Sequence, residues 1–359
     1  MKEALVFQKL PKNKIRCRVC QRRCLIPEGQ TGFCLTKLNQ KGELYTLNYG
    51  LIQSIQIDPI EKKPFYHFHP GKMVPSIGSY GCNFRCKQCL NWSYSWGDNA
   101  SLILQKIKKG ETFPILEPEK LIKEIKNRGY QGIAFTYNEP VVWAEYVLDA
   151  AKLAKKENLF TVFVTNGSWT KEVLDKIGPY LDAANVDLKG FSEKTYARQG
   201  AFFGEIPEMM VYAQEKHNVF LEITTLLIPS INDDPKELEK MTRWIVKELG
   251  PKTPWHLSRY SPDLAPDEKF QKIPPTSVEQ LKKVAAIGKK AGLEFIYIWA
   301  PGGDIDGGFY AEGSTFCPQC GSLTIKRSAW EPEIVGVNKK GKCKKCGEDL
   351  KIKLQPQKN

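Results

Sequence analysis

The chain has 359 residues, 42% hydrophobic and 26% charged, enough to bury a full core and carry small modules beside one large domain. No apolar run approaches the roughly 18 residues of a membrane span, and Met1 to Leu10 carries Lys2, Glu3 and Lys9 where a signal peptide would be apolar, so a membrane protein is excluded and the cytoplasm is expected. The net charge of +13 sits at the ends: residues 1–41 hold ten Lys/Arg against two acids and residues 317–359 ten against four, a balance that admits RNA or an acidic protein partner there, or merely solvates small modules.

The eleven cysteines fall into three groups, and in a chain without a secretion signal they argue for metals over disulfides. The first group is Cys17, Cys20, Cys24 and Cys34, spaced C-x2-C-x3-C-x9-C. Four thiolates over this span suit tetrahedral zinc or an iron-sulfur cluster, and they close the site, which favours structure or electron relay over catalysis. Glu43 to Ile57 alternates apolar and polar residues around Gly50 and predicts an antiparallel hairpin. Asp58 to Gly71, D-P-I-E-K-K-P-F-Y-H-F-H-P-G, reads as an ordered loop between prolines, with Glu61, Lys62, Lys63 and His67 either facing a ligand or simply exposed.

From Val74 onward a strand, loop and helix alternate. Strands are predicted at Val74–Ile77, Gly132–Phe135, Thr161–Val164, Ala183–Val186, Val219–Ile228, Trp255–Leu257 and Phe295–Trp299. Helices are predicted at Pro118–Asn127, Val141–Lys156, Lys171–Leu181, Pro235–Glu248 and Ser277–Lys290. Such units build a parallel sheet with helices outside, and the carboxyl ends of its strands carry the chemistry. After the first strand comes G-C-N-F-R-C-K-Q-C-L-N-W, with Cys82, Cys86 and Cys89 at C-x3-C-x2-C. Three thiolates from one loop can ligate three irons of a cubane and leave the fourth iron open. Later strands end in T-Y-N-E-P (Thr136–Pro140), T-N-G (Thr165–Gly167), D-L-K (Asp187–Lys189) and W-H-L-S-R-Y, which holds His256. Ala300 to Gly308 is glycine-rich and reads as a linker, and two C-x-x-C-G knuckles, Cys317/Cys320 and Cys343/Cys346, predict a zinc-ribbon or rubredoxin-like site for zinc or iron.

The three-cysteine loop resembles the signature of the radical S-adenosylmethionine (SAM) enzymes. With the N-terminal cysteines, D-P-I-E-K-K-P-F-Y-H-F, T-Y-N-E-P, D-L-K, the L-I-P turn at Leu227–Pro229 and C-P-Q-C, the chain is similar to the radical SAM enzymes of the AmmeMemoRadiSam system, relatives of the pyruvate formate-lyase activating enzymes. The resemblance implies a partial (β/α)6 TIM-like barrel over 74–305, a four-cysteine module and hairpin over 1–73, and a metal-binding module over 306–359. It implies a [4Fe-4S] cluster on Cys82, Cys86 and Cys89 that binds SAM, and reductive cleavage to methionine and a 5'-deoxyadenosyl radical that takes hydrogen from a substrate. Glu139, Asn166, Asp187, Lys189 and His256 are the residues expected to bind the cofactor, and none is singled out as catalytic. Gln88 stands where the superfamily has an aromatic residue against adenine, and Tyr137 and Asn138 replace the glycines of its Gly-Gly-Glu. Partners would be a reductant such as ferredoxin or flavodoxin and a substrate that is a protein, an RNA or a metabolite. An iron-sulfur electron carrier and a zinc-ribbon RNA-binding protein are the alternatives.

Overall fold

The computed structural model describes residues 1–300, 310–328 and 330–354. It divides into two compact units, Met1–Ile57 with Val74–Ala184 and Gly200–Val219, and Asp58–Met73 with Asn185–Gln199 and Phe220–Asn359. Among the described residues no helix is long and apolar enough to cross a membrane.

The first unit carries the parallel strands β1 (Met73–Gly78), β2 (Gly132–Phe135) and β3 (Phe160–Thr165), paired Ser76 to Ala134 and Gly132 to Phe160. Every residue of β2 is buried, as expected of a strand covered on both faces. Four helices follow the strands: α1 (Asp98–Lys108), α2 (Pro118–Asn127), α3 (Ala144–Lys156) and α4 (Lys171–Ile177). Proline at the first turn starts α2, and Leu121, Ile122 and Ile125 form its buried stripe. The Thr170 side chain accepts from Val173 N and starts α4. The helix expected from Val141 opens as a 3-10 turn at Pro140–Trp143 before α3 proper, because the Glu139 side chain caps it by accepting from Val141 N. Strand β4 (Ala183–Asp187) begins in this unit, which also holds α5 (Ile206–His217).

The expected hairpin around Gly50 is not formed. Its first run, Glu43–Thr46, pairs instead with Lys37–Gln40. Lys41 (φ 53°) and Gly42 (φ 78°) supply the two left-handed residues that a tight hairpin turn needs, whereas the second run, Ser54–Pro59, extends beside β1. Lys2–Glu3 completes the small sheet, and a second three-stranded sheet joins Phe7–Leu10, Lys14–Cys17 and Leu25–Ile26.

In the second unit, β5 (Phe220–Leu227), β6 (Trp255–Arg259) and β7 (Ile296–Ala300) run parallel, with α6 (Pro235–Trp244) and α7 (Val278–Ala291) between them. Ser277 and Gln280 form a capping box at the start of α7. The stretch read as a linker lies, beyond Ala300, outside the described residues. The C-terminal strands Thr315–Phe316, Leu323–Ser328 and Glu331–Ile334 form an antiparallel sheet. Tyr66, Phe295, Tyr297, Ile325, Leu350 and Ile352 share one buried cluster, so the 58–73 loop, the end of the parallel strands and the C-terminal module have a common core.

Buried polar groups organise this core. The Glu222 carboxylate accepts from the backbone N–H of Tyr66 (2.9 Å), His67 (2.9 Å) and Phe68 (3.2 Å). The His67 ring bonds Leu350 O at 3.0 Å and the Tyr297 hydroxyl at 2.6 Å. Burial pushes His67 down to about 4, against the pull of Glu222. The folded protein therefore keeps His67 neutral while the unfolded chain, near 6.5, takes up a proton, so this contribution is complete above about pH 6.5 and is lost as pH falls towards 4. Burial pushes Glu61 up to about 7, and its contribution has the opposite sign, complete below 4.5 and lost as pH rises through 7. His67 is thus best isolated by difference. Between pH 7 and 5, urea titrations of the parent should lose about 2 kcal/mol more than those of His67→Gln. Equal losses would show that His67 is protonated in the fold.

Candidate active site

The loop after β1 is positioned by asparagines from neighbouring segments. Asn138, at the end of β2, accepts from Ser79 N at 3.1 Å and donates to Gly81 O at 2.8 Å, while Asn48 donates to Tyr80 O at 3.0 Å. Gly81 (φ 92°) must be glycine: a Cβ there would stand 2.2 Å from Thr36 Cγ2 and 2.6 Å from Cys34 O. Cys82, Cys86 and Cys89 follow. Phe84 N–H donates to Cys82 Sγ at 3.5 Å and Cys89 N to Cys86 O at 3.1 Å, a tight turn that gathers the thiols. Burial, then the neighbouring Cys86, drives the Cys82 thiol well above its ordinary value, so a cationic partner is needed to hold it as thiolate.

Facing this loop is the end of β2. Tyr137 adopts φ 70°, a left-handed conformation costing an aromatic residue roughly 1–2 kcal/mol, and Asn91 Nδ2 holds its carbonyl at 2.9 Å. The chain thus keeps a glycine-like backbone at a position where the resemblance has glycine. Next to it the Glu139 carboxylate, 3% exposed, accepts from Asn166 N at 2.7 Å, Thr165 Oγ1 at 2.8 Å and Val141 N at 3.1 Å. Its charge reaches Cys82. The Asn166 side chain donates to Asn83 Oδ1 at 2.9 Å, and Asn83 Nδ2 to Ser168 Oγ at 2.6 Å. Cys82, Cys86, Cys89, Glu139 and Asn166 therefore occupy one unit and are tied together through Asn83.

The other residues expected to bind cofactor lie in the second unit. Lys189 pairs with Asp187 of its own triplet, whose Oδ1 is buried with no hydrogen-bond partner in the structure. His256 Nε2 bonds Glu222 at 2.7 Å and its ring stacks on Tyr297 with centroids 5.3 Å apart, so its local partners are those of a core histidine. Gln88 is buried, 7% exposed. Asn83 and Asn138 escaped the sequence reading. Asn83 is fully buried beside the first loop cysteine, and a polar residue there was the one available signal.

At the C-terminus Cys317 and Cys346 sulfurs stand 3.5 Å apart and Cys320 and Cys343 3.7 Å. All four ligand atoms lie within 4.8 Å of one another, close to the ~3.8 Å expected of thiolates bonded to one tetrahedral ion at ~2.3 Å. The Ser322 hydroxyl, 3.4 Å away, holds Cys343 down to about 6. At the N-terminus Cys17, Cys20 and Cys34 are buried and Cys24 partly so, around a void that Val19, Ile26 and Val142 also line.

The radical SAM superfamily profile matches residues 76–245. An uncharacterized protein of Methanocaldococcus jannaschii is 35% identical over 355 residues, 99% of this chain and 100% of the relative. Residues 76–245 belong to the radical SAM superfamily. A second protein of that archaeon, provisionally named a glycyl-radical enzyme activating enzyme, is 24% identical over 62% of this chain and 87% of the relative. Among solved structures, a radical SAM methyltransferase from Sphaerobacter thermophilus matches with a TM-score of 0.46 at 14% identity, over 67% of this chain and 71% of that one. Membership makes the chain an enzyme with the radical SAM α/β fold, and the electron-carrier and RNA-binding alternatives give way. It also implies a [4Fe-4S] cluster and SAM. The three thiols gathered on one loop, beside a buried carboxylate, are a donor set of the right chemistry for that pair.

Proposed function

We propose that this radical SAM enzyme binds SAM at the open iron of a cluster held by Cys82, Cys86 and Cys89, and that its substrate is a glycine of a partner protein. The observation that carries the reading is the tie between the three-cysteine loop and Glu139 through Asn166 and Asn83 within one unit. The cofactor pair supplies, with one electron from a ferredoxin- or flavodoxin-type donor, a 5'-deoxyadenosyl radical that abstracts a hydrogen atom. The protein supplies position and dryness. Thr165 and Asn166 fix the Glu139 carboxylate by two bonds to its two oxygens, so it is oriented before any ligand arrives. A carboxylate at that place suits the SAM amino group, the role the superfamily resemblance gives it. Asn138 holds the backbone that leads into Cys82, and Asn83 ties the loop to the end of β3.

The choice of a protein glycine draws on the relatives named as glycyl-radical activating enzymes, and the N-terminal cysteines with D-P-I-E-K-K-P-F-Y-H-F support placement with the AmmeMemoRadiSam-type enzymes. The substrate is tested by isotope transfer. Reduced enzyme is given soluble protein from its own host grown on α-deuterated glycine. Deuterium should enter 5'-deoxyadenosine while a glycyl radical appears by EPR, as a doublet in unlabelled protein that collapses to a single narrow line in the α-deuterated protein. Deuterium transfer from another labelled amino acid, or none from glycine, would refute a glycine substrate. Glu139→Gln should raise the KM for SAM by roughly ten- to a hundredfold, the loss of one charge-assisted hydrogen bond of ~1.5–3 kcal/mol. An unchanged KM would make Glu139 a helix cap and nothing more.

For the C-terminal site the proposal is one tetrahedral ion, zinc or iron, per chain. Metal analysis of a Cys82→Ala/Cys86→Ala/Cys89→Ala variant, made without added iron, should return an ion that Cys320→Ala/Cys343→Ala removes. Its loss should lower the melting temperature, because metal affinity at such a site is folding free energy.

A further inference from the structure

We propose that Cys17, Cys20, Cys24 and Cys34 hold a second [4Fe-4S] cluster and that this cluster passes an electron to the one at Cys82–Cys89; the relay, unlike the metal assignment, rests on the function proposed above. The first argument is spacing. Four thiolates on one ion must crowd together, and the C-terminal four do. Four thiolates on four irons stand wider, each set off by an iron-iron edge. Among the described residues the C-terminal four form the only group of three or more cysteine, histidine or carboxylate ligands whose atoms all lie within 4.8 Å, so no three of the N-terminal sulfurs stand that close, and neither do the three of the radical SAM loop. Yet the N-terminal four converge. All four line one void. Gly32 leaves the void open: a Cβ there would lie 3.8 Å from Cys34 Sγ. Arg22 also lines it, a cation suited to the net negative charge of a thiolate-ligated cluster.

The second argument is contact with the radical SAM loop, all within one unit. The Cys34 carbonyl presses on Gly81, the residue before Cys82. Arg85 donates to Cys82 O at 2.8 Å and also to Phe33 O, joining the neighbours of both cysteine sets. Asn83 lines the same void as Cys20, and Arg22 Nε donates to Asn83 O at 3.0 Å. On the other side Gln21 N donates to Ser168 O at 2.9 Å. A site closed by four thiolates has no iron to offer SAM, which leaves electron transfer as the chemistry such a neighbour can perform. A low-potential one-electron donor of the flavodoxin or ferredoxin class reduces the N-terminal cluster from 2+ to 1+. It returns to 2+ as the electron passes to the SAM-ligating cluster, and no proton or group moves.

The test begins with the full chain carrying Cys82→Ala/Cys86→Ala/Cys89→Ala, reconstituted anaerobically with iron and sulfide. It should bind about four sulfides and about four irons beyond any single iron in the C-terminal site, and show, when reduced, a [4Fe-4S] EPR signal that SAM does not alter. Adding Cys20→Ala and Cys24→Ala should abolish that signal, with retained C-terminal metal and circular dichroism reporting a folded chain. Zinc in place of iron at the N-terminal site, in protein made and reconstituted with both metals present, would overturn the assignment. For the relay, Cys20→Ala/Cys24→Ala in the otherwise native chain should keep the SAM-responsive EPR signal. Its 5'-deoxyadenosine formation driven by reduced flavodoxin should fall at least about tenfold, while formation driven by dithionite, a small reductant able to reach the loop directly, falls less. An undiminished flavodoxin-driven rate would refute the relay. An N-terminal cluster in a parent that makes no 5'-deoxyadenosine would instead count against the radical SAM reading and leave the metal assignment standing.

Discussion

Cys86→Ala is expected to reduce 5'-deoxyadenosine and methionine formation to the level of the uncatalysed blank. The parent, reconstituted with iron and sulfide and given dithionite and SAM under anaerobic conditions, should form both. The argument is local. Cys89 N donates to Cys86 O at 3.1 Å and Arg85 N to Gly200 O at 3.0 Å, so the turn that presents the three sulfurs is held by backbone and survives loss of one thiol. What disappears is a ligand to an iron, and with two remaining thiolates the loop cannot keep three irons in place. Because SAM cleavage is the cofactor pair's chemistry, no side chain can substitute for it. Residual cleavage above a few per cent of the parent would mean that these three cysteines are not the ligands. Liquid chromatography of quenched single-turnover mixtures, beside iron counts on the same samples, gives the comparison.

Lys37→Met is expected to cost about 3–5 kcal/mol of stability, the largest effect of any substitution outside the cysteines. Lys37 Nζ lies 2.5 Å from Glu145 Oε2 and 2.8 Å from Thr46 Oγ1, with the lysine and glutamate side chains 1% and 0% exposed. The remaining Glu145 oxygen accepts from Leu5 N at 2.9 Å. Removing the ammonium leaves a buried carboxylate with one backbone donor, and that unpaired charge, more than the lost attraction, sets the magnitude. Lys37→Met/Glu145→Leu should accordingly recover much of the loss, since an apolar pair of similar volume carries no such penalty. Urea titrations of the three proteins decide it. A single-variant loss under about 1 kcal/mol would indicate that water reaches the pair.

Much of the fold was legible because strand and helix periods in the middle of the chain agree with the packing. The predicted helix Pro118–Asn127 and strand Gly132–Phe135 are found with those bounds, and α7 is offset by one residue. Failures came where local pattern and long-range pairing part company. Glu43–Thr46 and Ser54–Pro59 each alternate correctly, yet alternation names no partner, and the Lys41–Gly42 turn claims the first of them. Helix α5 went unread because I-P-E-M-M-V-Y-A-Q-E-K-H mixes apolar and polar residues without a clear stripe; only Ile206, Pro207, Met210 and Ala213 are buried.

In the candidate site, spacing alone brought out the cysteines, since ligand geometry is written into adjacent residues. Asn138 and Asn83 were not legible: each matters through a partner some 57 to 85 residues away, which no local pattern encodes. His256, read at a strand end as a cofactor-binding residue, has a partner that no local pattern names, Glu222 on the adjacent strand at 2.7 Å.

The union of the 58–73 loop with the C-terminal module bears on how the protein is made. Lys353 N donates to His67 O at 2.7 Å and His69 N to Lys353 O at 2.7 Å, and Leu350 O meets the His67 ring across 283 residues of sequence. At a ribosomal speed of about 5–20 residues per second, Phe65, Tyr66 and Phe68 emerge about 15–60 s before the segment that covers them. The second unit therefore stays open until residues 350–354 leave the exit tunnel, and an early apolar segment is uncovered until then. A stop codon that removed only Leu350–Asn359 would strip the cover from that segment and leave chains prone to aggregation, although every cysteine would remain.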